Sequence, residues 1–275
     1  MNTQSAPASE AMDRINRQAW RRPDSVRWFG HLEGWTDPGE RAAIERIADQ
    51  ARRQPILDIG VGGGRTVPIL RAISSDYTAV DYTPELAAAC REKYPDARIL
   101  DGDARKLSAF ADGSFALVVF SFNGIDAVNH EDRIKVLREA HRVLRSGGVF
   151  LFSSHNRNGP GHGERLRLGV YLTRNPFKLA WRVAVALARS PITLRNRMRY
   201  TRLNLQREGY SIMNAAAHNH GIVIYYVTLE QQRQQLLDAG FGRDIEVYGN
   251  LGGSPLAPGT DTSAQTWFHF IARKP

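Results

Sequence analysis

The sequence predicts an α/β chain built on a doubly wound, mostly parallel seven-stranded sheet, with an antiparallel last strand and a helical insertion after strand five. Three observations predict it. Short apolar runs alternate with amphipathic stretches from residue 55 to about 154, the rhythm of a parallel sheet with helices on its faces. The first run, Ile56-Leu57-Asp58-Ile59, passes straight into Gly60-Val61-Gly62-Gly63-Gly64. Such a G-x-G-x-G turn carries a strand sharply into a helix and lets a ligand approach the backbone. After Asn156 the rhythm stops for 65 residues, 157 to 221, and then resumes.

In chain order, Asp37-Pro38-Gly39-Glu40 reads as a helix start. Asp37 is the N-cap, Pro38 takes the first helical position and Glu40 closes a capping-box-like pattern, so a helix is expected to about Arg53. Strands are expected at 55–59, 77–81, 97–100, 115–122 and 149–154, and helices at 65–74, 84–93 and 131–145. Thr83-Pro84 opens the second of these helices, and Gly147-Gly148 is placed at the C′ position that ends the last. Pro160, Pro176 and Pro191 punctuate two or three amphipathic helices in the insertion. A strand at 222–227, a helix capped by Thr228 and ended by Gly240, and strands at 245–248 and 266–272 complete the chain. The Gly/Pro-rich stretch 252–259 suits an antiparallel return. Residues 1–36 are assigned to an N-terminal tail and lid segment with a disordered first dozen. Residues 37–275 are assigned to one domain that carries the insertion.

Composition narrows the class. At 275 residues and 42% hydrophobic content the chain can bury a sizeable core. Its single cysteine, Cys90, lies in the apolar run Leu86-Ala87-Ala88-Ala89-Cys90, which excludes an internal disulfide and reads as an inert buried thiol in a reducing cytoplasm. Residues 1–10 lack the apolar core of a signal peptide, and no run approaches the ~18 apolar residues of a membrane span. The net charge of +9 is concentrated: residues 157–210 hold twelve Arg or Lys against Glu164 and Glu208, leaving 25 basic and 26 acidic residues elsewhere. The insertion therefore poses its own functional question.

Further residues fall where a nucleoside site on such a sheet needs them. Asp81 closes the second strand, 17 residues after Gly64, where a carboxylate can accept from both hydroxyls of a ribose. Tyr82 follows and can pack on an adenine ring. Asp103 lies just past the third strand, placed to accept from the adenine amino group, with the Ala104 N–H beside it for a ring nitrogen. A dinucleotide fingerprint would place its third glycine where Arg65 stands, which weakens the nicotinamide reading.

Over residues 53–154 and the C-terminal strands, the chain resembles the Rossmann-like class I S-adenosylmethionine-dependent methyltransferases. The resemblance rests on Asp58-Ile59-Gly60-Val61-Gly62-Gly63-Gly64, on Asp81 and Asp103, and on Phe120-Ser121-Phe122-Asn123 after strand four. Arg142-Val143-Leu144-Arg145-Ser146-Gly147-Gly148 and Leu236-Leu237-Asp238-Ala239-Gly240-Phe241 are similar to two further family segments. Ala116 departs from the aspartate that many members carry there. The resemblance implies transfer of a methyl group to a nucleophile by in-line displacement, leaving S-adenosylhomocysteine, with no metal expected. It implies a cofactor site made by Asp58, Gly60, Gly62, Gly64, Asp81, Tyr82, Asp103, Ala104 and Phe122.

The C-terminal ends of strands four and five face the reacting centre in an open parallel sheet, and they carry Asn123, Asp126, His155 and Asn156. His155 is the leading candidate for a general base, since imidazole needs little tuning near neutral pH. Asp126 is the second catalytic candidate, and capping the helix from Glu131 is its other reading. Asn123, Asn156, His220 and Tyr225 are the candidates for holding the acceptor. A metal at His218-Asn219-His220 is discounted for want of a cysteine or a second carboxylate cluster.

The expected acceptor is a small molecule of specialised or cell-surface metabolism, methylated on oxygen or nitrogen and, given the basic insertion, anionic or lipid-linked. An RNA or protein methyltransferase and a non-catalytic S-adenosylmethionine-binding protein are the alternatives. Nucleic acid is disfavoured, because strand four lacks an N-P-P-Y-type motif and no basic stripe interleaved with aromatics runs along the core. For 174–202 three readings stay open: a solvated helix face, a lid over the acceptor, and a peripheral membrane contact.

Overall fold

The computed structural model describes residues 6–164 and 173–275. Helices α1 (Ala6–Trp20), α2 (Pro23–Gly30) and α3 (Pro38–Ala51) lead into β1 (Ile56–Ile59). Alternation follows through α4 (Val67–Ile73), β2 (Tyr77–Asp81), α5 (Pro84–Lys93), β3 (Arg98–Asp101), β4 (Phe115–Phe120), a 3₁₀ turn at Gly124–Ala127, α6 (His130–Val143) and β5 (Leu144–Asn156). The insertion holds α7 (Pro176–Tyr200), β6 (Leu205–Gln206), β7 (Tyr210–Ala215) and the single turn α8 (Ala217–His220). The chain then forms β8 (Ile222–Val227), α9 (Leu229–Asp238), β9 (Glu246–Gly249) and β10 (Trp267–Arg273).

Strands β3-β2-β1-β4-β5 lie parallel, β10 runs antiparallel beside β5, and β9 pairs with the far edge of β10. These make a row of seven strands, with the antiparallel last strand in place. The strand expected at 222–227 forms as β8 but lies outside that row, and β6 and β7 were not expected. His155 pairs with Trp267 of β10 on one edge and with Tyr226 of β8 on the other. Since β4 ends at Phe120, opposite Phe152, β8 occupies the place above the end of β4 and overhangs the sheet's C-terminal edge. Antiparallel β7 and β6 extend it. The insertion is thus partly sheet, because Tyr210–Ala215 finds an open strand edge in β8.

Two apolar layers sandwich the sheet. Leu57, Ile59, Val118, Phe150 and Phe152 face α6 and α9, while Ile56, Ala79, Leu117, Val119 and Leu151 face α3, α4 and α5. Both faces being covered, β1, β2 and β4 are buried throughout and read as continuous apolar runs. Cys90 is fully buried in the second layer, and burial pushes its thiol up to about 12. Among the described residues, no helix is long and apolar enough to cross a membrane.

Local signals worked where a single turn decides the outcome. The Asp37 carboxylate accepts from the Glu40 N–H at 2.9 Å, and the Thr228 hydroxyl accepts from the Gln231 N–H at 3.2 Å. Gly147 departs from expectation: α6 already ends at Val143, and Gly147, at φ +72°, sits where β5 shifts register against β4. The N-terminal segment departs too. From Ala6 onward it is helical, with Met12 and Ile15 buried against Ile212, Val223 and Tyr225; residues 1–5 lie outside the described residues.

Asn16 ties that segment to the sheet. Its amide accepts from the Val223 N–H at 2.9 Å and donates to the Val223 carbonyl at 2.8 Å and the Ala127 carbonyl at 2.7 Å, all in a buried site. Asn16→Ala leaves three buried backbone groups unpaired and is expected to lower unfolding free energy by roughly 2–4 kcal/mol. Urea denaturation with tryptophan fluorescence measures it; a loss under about 1 kcal/mol would show that α1 is not held by this contact.

Candidate active site

The site begins with the turn after β1. Asp58 lies beneath it, 1% exposed, accepting from the Thr66 hydroxyl at 2.5 Å and the Tyr77 hydroxyl at 2.7 Å. Burial raises its carboxyl to about 6. Asp58 therefore braces the turn from behind and does not line the cavity, contrary to its expected place among ligand contacts. Gly64 lies on the inner side as well, at φ +86°, where a Cβ would overlap the Tyr94 ring. Gly62, at φ +56°, has the opposite exposure: a Cβ would meet nothing nearer than its own loop at 3.9 Å, so that flank opens to the cavity.

A cavity of about 330 Å³ runs across the C-terminal edge of the sheet. Gly60, Gly62, Asp81 and Tyr82 form one side, and Phe122, Asn123, Asp126 and His155 form another. Trp20, Trp28 and Phe29 of the N-terminal helices roof it, and Ala217, His218 and Ile222–Ile224 close the far wall. A smaller cleft of about 40 Å³, lined by Asp103, Ala104 and Arg105, adjoins it and shares Gly60, Tyr82 and Phe120. The described structure thus brings together Gly60, Gly62, Asp81, Tyr82, Asp103, Ala104 and Phe122 of the expected cofactor set.

Whether these groups suit S-adenosylmethionine can be tested on their unused hydrogen-bonding capacity. Asp81, 4% exposed, accepts from the Gly62 N–H and the Thr83 N–H, each at 2.8 Å, through different oxygens. Each oxygen keeps a lone pair for a hydroxyl donor. Burial raises this carboxyl to about 6. Asn123 Oδ1 is a buried acceptor without a protein partner, on a residue held at φ +60°. A buried orphan acceptor in the cavity that Asp81 also lines suits a ligand that brings donors. Asp103 is differently placed: Arg105 Nη2 donates to it at 2.6 Å and Arg105 Nε at 3.0 Å. Burial opposes its ionisation, but the Arg105 guanidinium holds the carboxyl below its ordinary value.

The reacting end is organised by Asp126. Its Oδ2 accepts from His155 Nδ1 at 2.7 Å and from the His155 N–H at 2.6 Å. Its Oδ1 accepts from Arg133 Nη1 at 2.6 Å and the Ser154 hydroxyl at 2.7 Å. Asp126 is therefore no helix cap; Asn129 caps α6 through the Asp132 N–H at 2.9 Å. With Nδ1–H pointed at a carboxylate, neutral His155 keeps the lone pair on Nε2.

Three expected acceptor-binding residues face elsewhere. Asn156 donates to the carbonyls of Thr262 and Gln265, each at 2.9 Å, pinning the loop before β10. His220 Nδ1 pairs with Asn214 Oδ1 at 3.1 Å. Tyr225 points to the other face of β8, where its hydroxyl meets His130 Nδ1 at 2.8 Å and Gln235 Nε2 at 2.9 Å. The neighbouring residues take their places: His218, at φ +53° and paired through Nδ1 with the Ser25 hydroxyl at 3.2 Å, lines the cavity. The tryptophans of the roof were also missed. Trp20, Trp28 and Trp35, three of the five in the chain, crowd into an otherwise polar N-terminal segment, and that clustering was the available signal.

Residues 57–152 match the family model of a methyltransferase domain. The chain is 37% identical over 101 residues to a demethylmenaquinone methyltransferase of Chlorobaculum tepidum, covering 36% of this chain and 40% of that protein. It is 27% identical over 144 residues to a probable S-adenosylmethionine-dependent methyltransferase of Mycobacterium tuberculosis, covering 52% of this chain and 51% of that one. The chain thus spans about two-fifths to half the length of these relatives. The fold is shared with the Burkholderia thailandensis 1,6-didemethyltoxoflavin-N1-methyltransferase, at TM-score 0.57, 16% identity and coverage of 100% and 92% of the two chains. A Mesorhizobium loti S-adenosylmethionine-dependent methyltransferase gives 0.54, 17%, and 86% and 98%. Residues 57–152 thus match a methyltransferase domain, and the chain is similar in sequence to S-adenosylmethionine-dependent methyltransferases and shares their fold.

Proposed function

We propose that this protein methylates an oxygen or nitrogen atom of a small, largely apolar ring compound, with His155 as general base and Asp126 as the carboxylate that orients it. One observation carries the reading: a single aromatic-roofed cavity joins Asp81 and the orphan amide of Asn123 to the Asp126–His155 pair. When bound, S-adenosylmethionine supplies an electrophilic methyl group on a positively charged sulfur.

Everything else falls to the protein's own residues. Asp81 accepts from ribose hydroxyls, Asn123 Oδ1 from a donor of the ligand, and Tyr82 offers a ring face in the cleft with Ala104. His155 Nε2 takes the proton from the acceptor's hydroxyl or amine as the nucleophile attacks. The imidazolium so formed keeps its Nδ1–H on Asp126, whose two oxygens are held in place by four donors. Trp20, Trp28, Phe29 and Phe122 exclude water and hold the ring, which matters because alignment contributes most of the rate in such a displacement.

An apolar acceptor is preferred to an anionic one. Among the described residues, the arginine that lines the cavity, Arg65, is already bound to Glu40 at 2.7 and 2.8 Å. The relatives named for demethylmenaquinone support a ring acceptor of lipid character. A buried thiol and no disulfide suit the cytoplasm, the location we assign.

His155→Ala and Asp126→Asn are each expected to lower kcat by about 10²–10⁴-fold while cofactor affinity, read by calorimetry, stays within about twofold. An unchanged kcat in His155→Ala from pH 6 to 9 rules out the base. Asp81→Ala is expected to weaken cofactor binding by roughly 30- to 1,000-fold through loss of charge-assisted hydrogen bonds. Because the Asp81 carboxyl titrates near 6, its charged, accepting form prevails above that pH. Cofactor affinity should therefore fall as pH drops through about 6, and Asp81→Asn should remove that dependence. Equal pH dependence in the two proteins would assign the titration to another group.

A further inference from the structure

Helix α7 has no buried residue along its 25 positions. Phe177 is 86% exposed and Trp181 70%, and Leu187, Ile192, Leu194 and Met198 are exposed as well. On a 3.6-residue repeat Phe177, Trp181, Ala184, Leu187, Ala188 and Ile192 share one side of the first half, and Lys178, Arg182 and Arg189 line the adjoining flank. Arg195, Arg197 and Arg199 crowd the last turns. The helix holds six basic residues and no acidic one.

A soluble surface does not need tryptophan and phenylalanine at such exposure, and contiguous apolar side chains rimmed by charge mark a contact face. Its charge selects the partner. A two-fold contact of this face with a second copy would set six cations against six, whereas an anionic lipid surface matches both the cations and the apolar side. The helix is too polar to cross a bilayer, and an apolar side flanked by Lys and Arg is the pattern of a helix lying in the interface. It is also tied to the cavity, since Asn196 Nδ2 donates to the Asn219 carbonyl at 3.1 Å in α8, whose Ala217 and His218 line the far wall.

We propose that α7 seats this protein on anionic phospholipid, apolar side down, with the cavity lip of α8 at the membrane surface. The site then lies beside the phase in which an apolar acceptor is dissolved. This consequence rests on the acceptor reading above, but the seating does not: the binding assay contains neither cofactor nor acceptor, so the two fail separately.

The test is co-sedimentation of the full chain with vesicles of phosphatidylcholine alone or with about 30% phosphatidylglycerol, whose negative surface potential attracts Lys and Arg. Binding is expected to the anionic vesicles, weakening with salt. Replacing Lys178, Arg182 and Arg189 together by Gln should reduce it about a hundredfold, at about fivefold per charge. Phe177→Ser with Trp181→Ser should reduce it at least tenfold with net charge unchanged. All these side chains being exposed, melting temperatures should match wild type. Three results overturn the proposal: no retention on anionic vesicles at low salt; retention indifferent to Phe177→Ser/Trp181→Ser, meaning adsorption of a basic protein only; or a concentration-dependent dimer abolished by Trp181→Ser, which assigns the face to a second copy.

Discussion

A carboxyl group at 1% exposure is costly to bury unless its oxygens find partners, and the partnering of Asp126 shapes the whole reacting end of this molecule. Its main counter-ion, Arg133, is itself fully buried. Arg133 spends its remaining donors on the Ile125 carbonyl, the Ser154 hydroxyl and the side-chain oxygens of Gln232 and Gln235, and lies 4.6 Å over the Tyr225 ring. One ion pair thereby joins the 3₁₀ turn, α6, β5, α9 and β8. Replacing such a pair by apolar residues often costs nothing, so stability alone does not explain it. What it does here is fix Asp126 Oδ2 against the His155 backbone and ring together, so the imidazole is held in one orientation.

The remaining walls come from segments outside the alternating core. Helices α1 and α2 bring Trp20, Trp28 and Phe29, and the β6–β8 ribbon brings an apolar far wall. Phe122 is where they meet: its ring lies 6.2 Å from Trp28, 5.9 Å from Trp35, 6.4 Å from Trp267, and 5.1 Å below the Arg65 guanidinium. Phe122 and Asn123 are both left-handed, at φ +52° and +60°. Such backbone strain persists only where the surroundings enforce it. The cofactor side is thus generic to the sheet edge, while the acceptor side is particular to the N-terminal helices and the insertion.

Much of the cofactor side was legible in the sequence because its determinants are local. Gly60 and Gly62 are read from turn chemistry, Asp81 and Tyr82 from the end of a strand, Asp103 and Ala104 from the next. Where local reading failed, the error was one of facing. Asn156 follows His155 in the same strand, so pleating alone turns it to the loop before β10 instead of the cavity. Tyr225 is turned to the opposite face of β8, and Asp58 to the underside of β1, by the same alternation. His220 lost its place to His218 because three successive left-handed residues, His218, Asn219 and His220, reverse the chain there, and nothing in that tripeptide announces it.

The sequence by itself determined the seven-stranded core, its antiparallel closure, the helix starts at Asp37 and Thr228, the glycine turn and the acidic residues that follow it. These depend on hydrophobic period and on φ/ψ preferences within a few residues, information carried in the chain locally. Only the tertiary structure decided that Asp126 orients His155, that Asn16 fastens the roof, and that β8 overhangs β4. Each of those depends on which partner meets a buried polar group across 29, 207 or more positions of chain, and the cost of leaving such a group unpaired is settled only when distant segments pack.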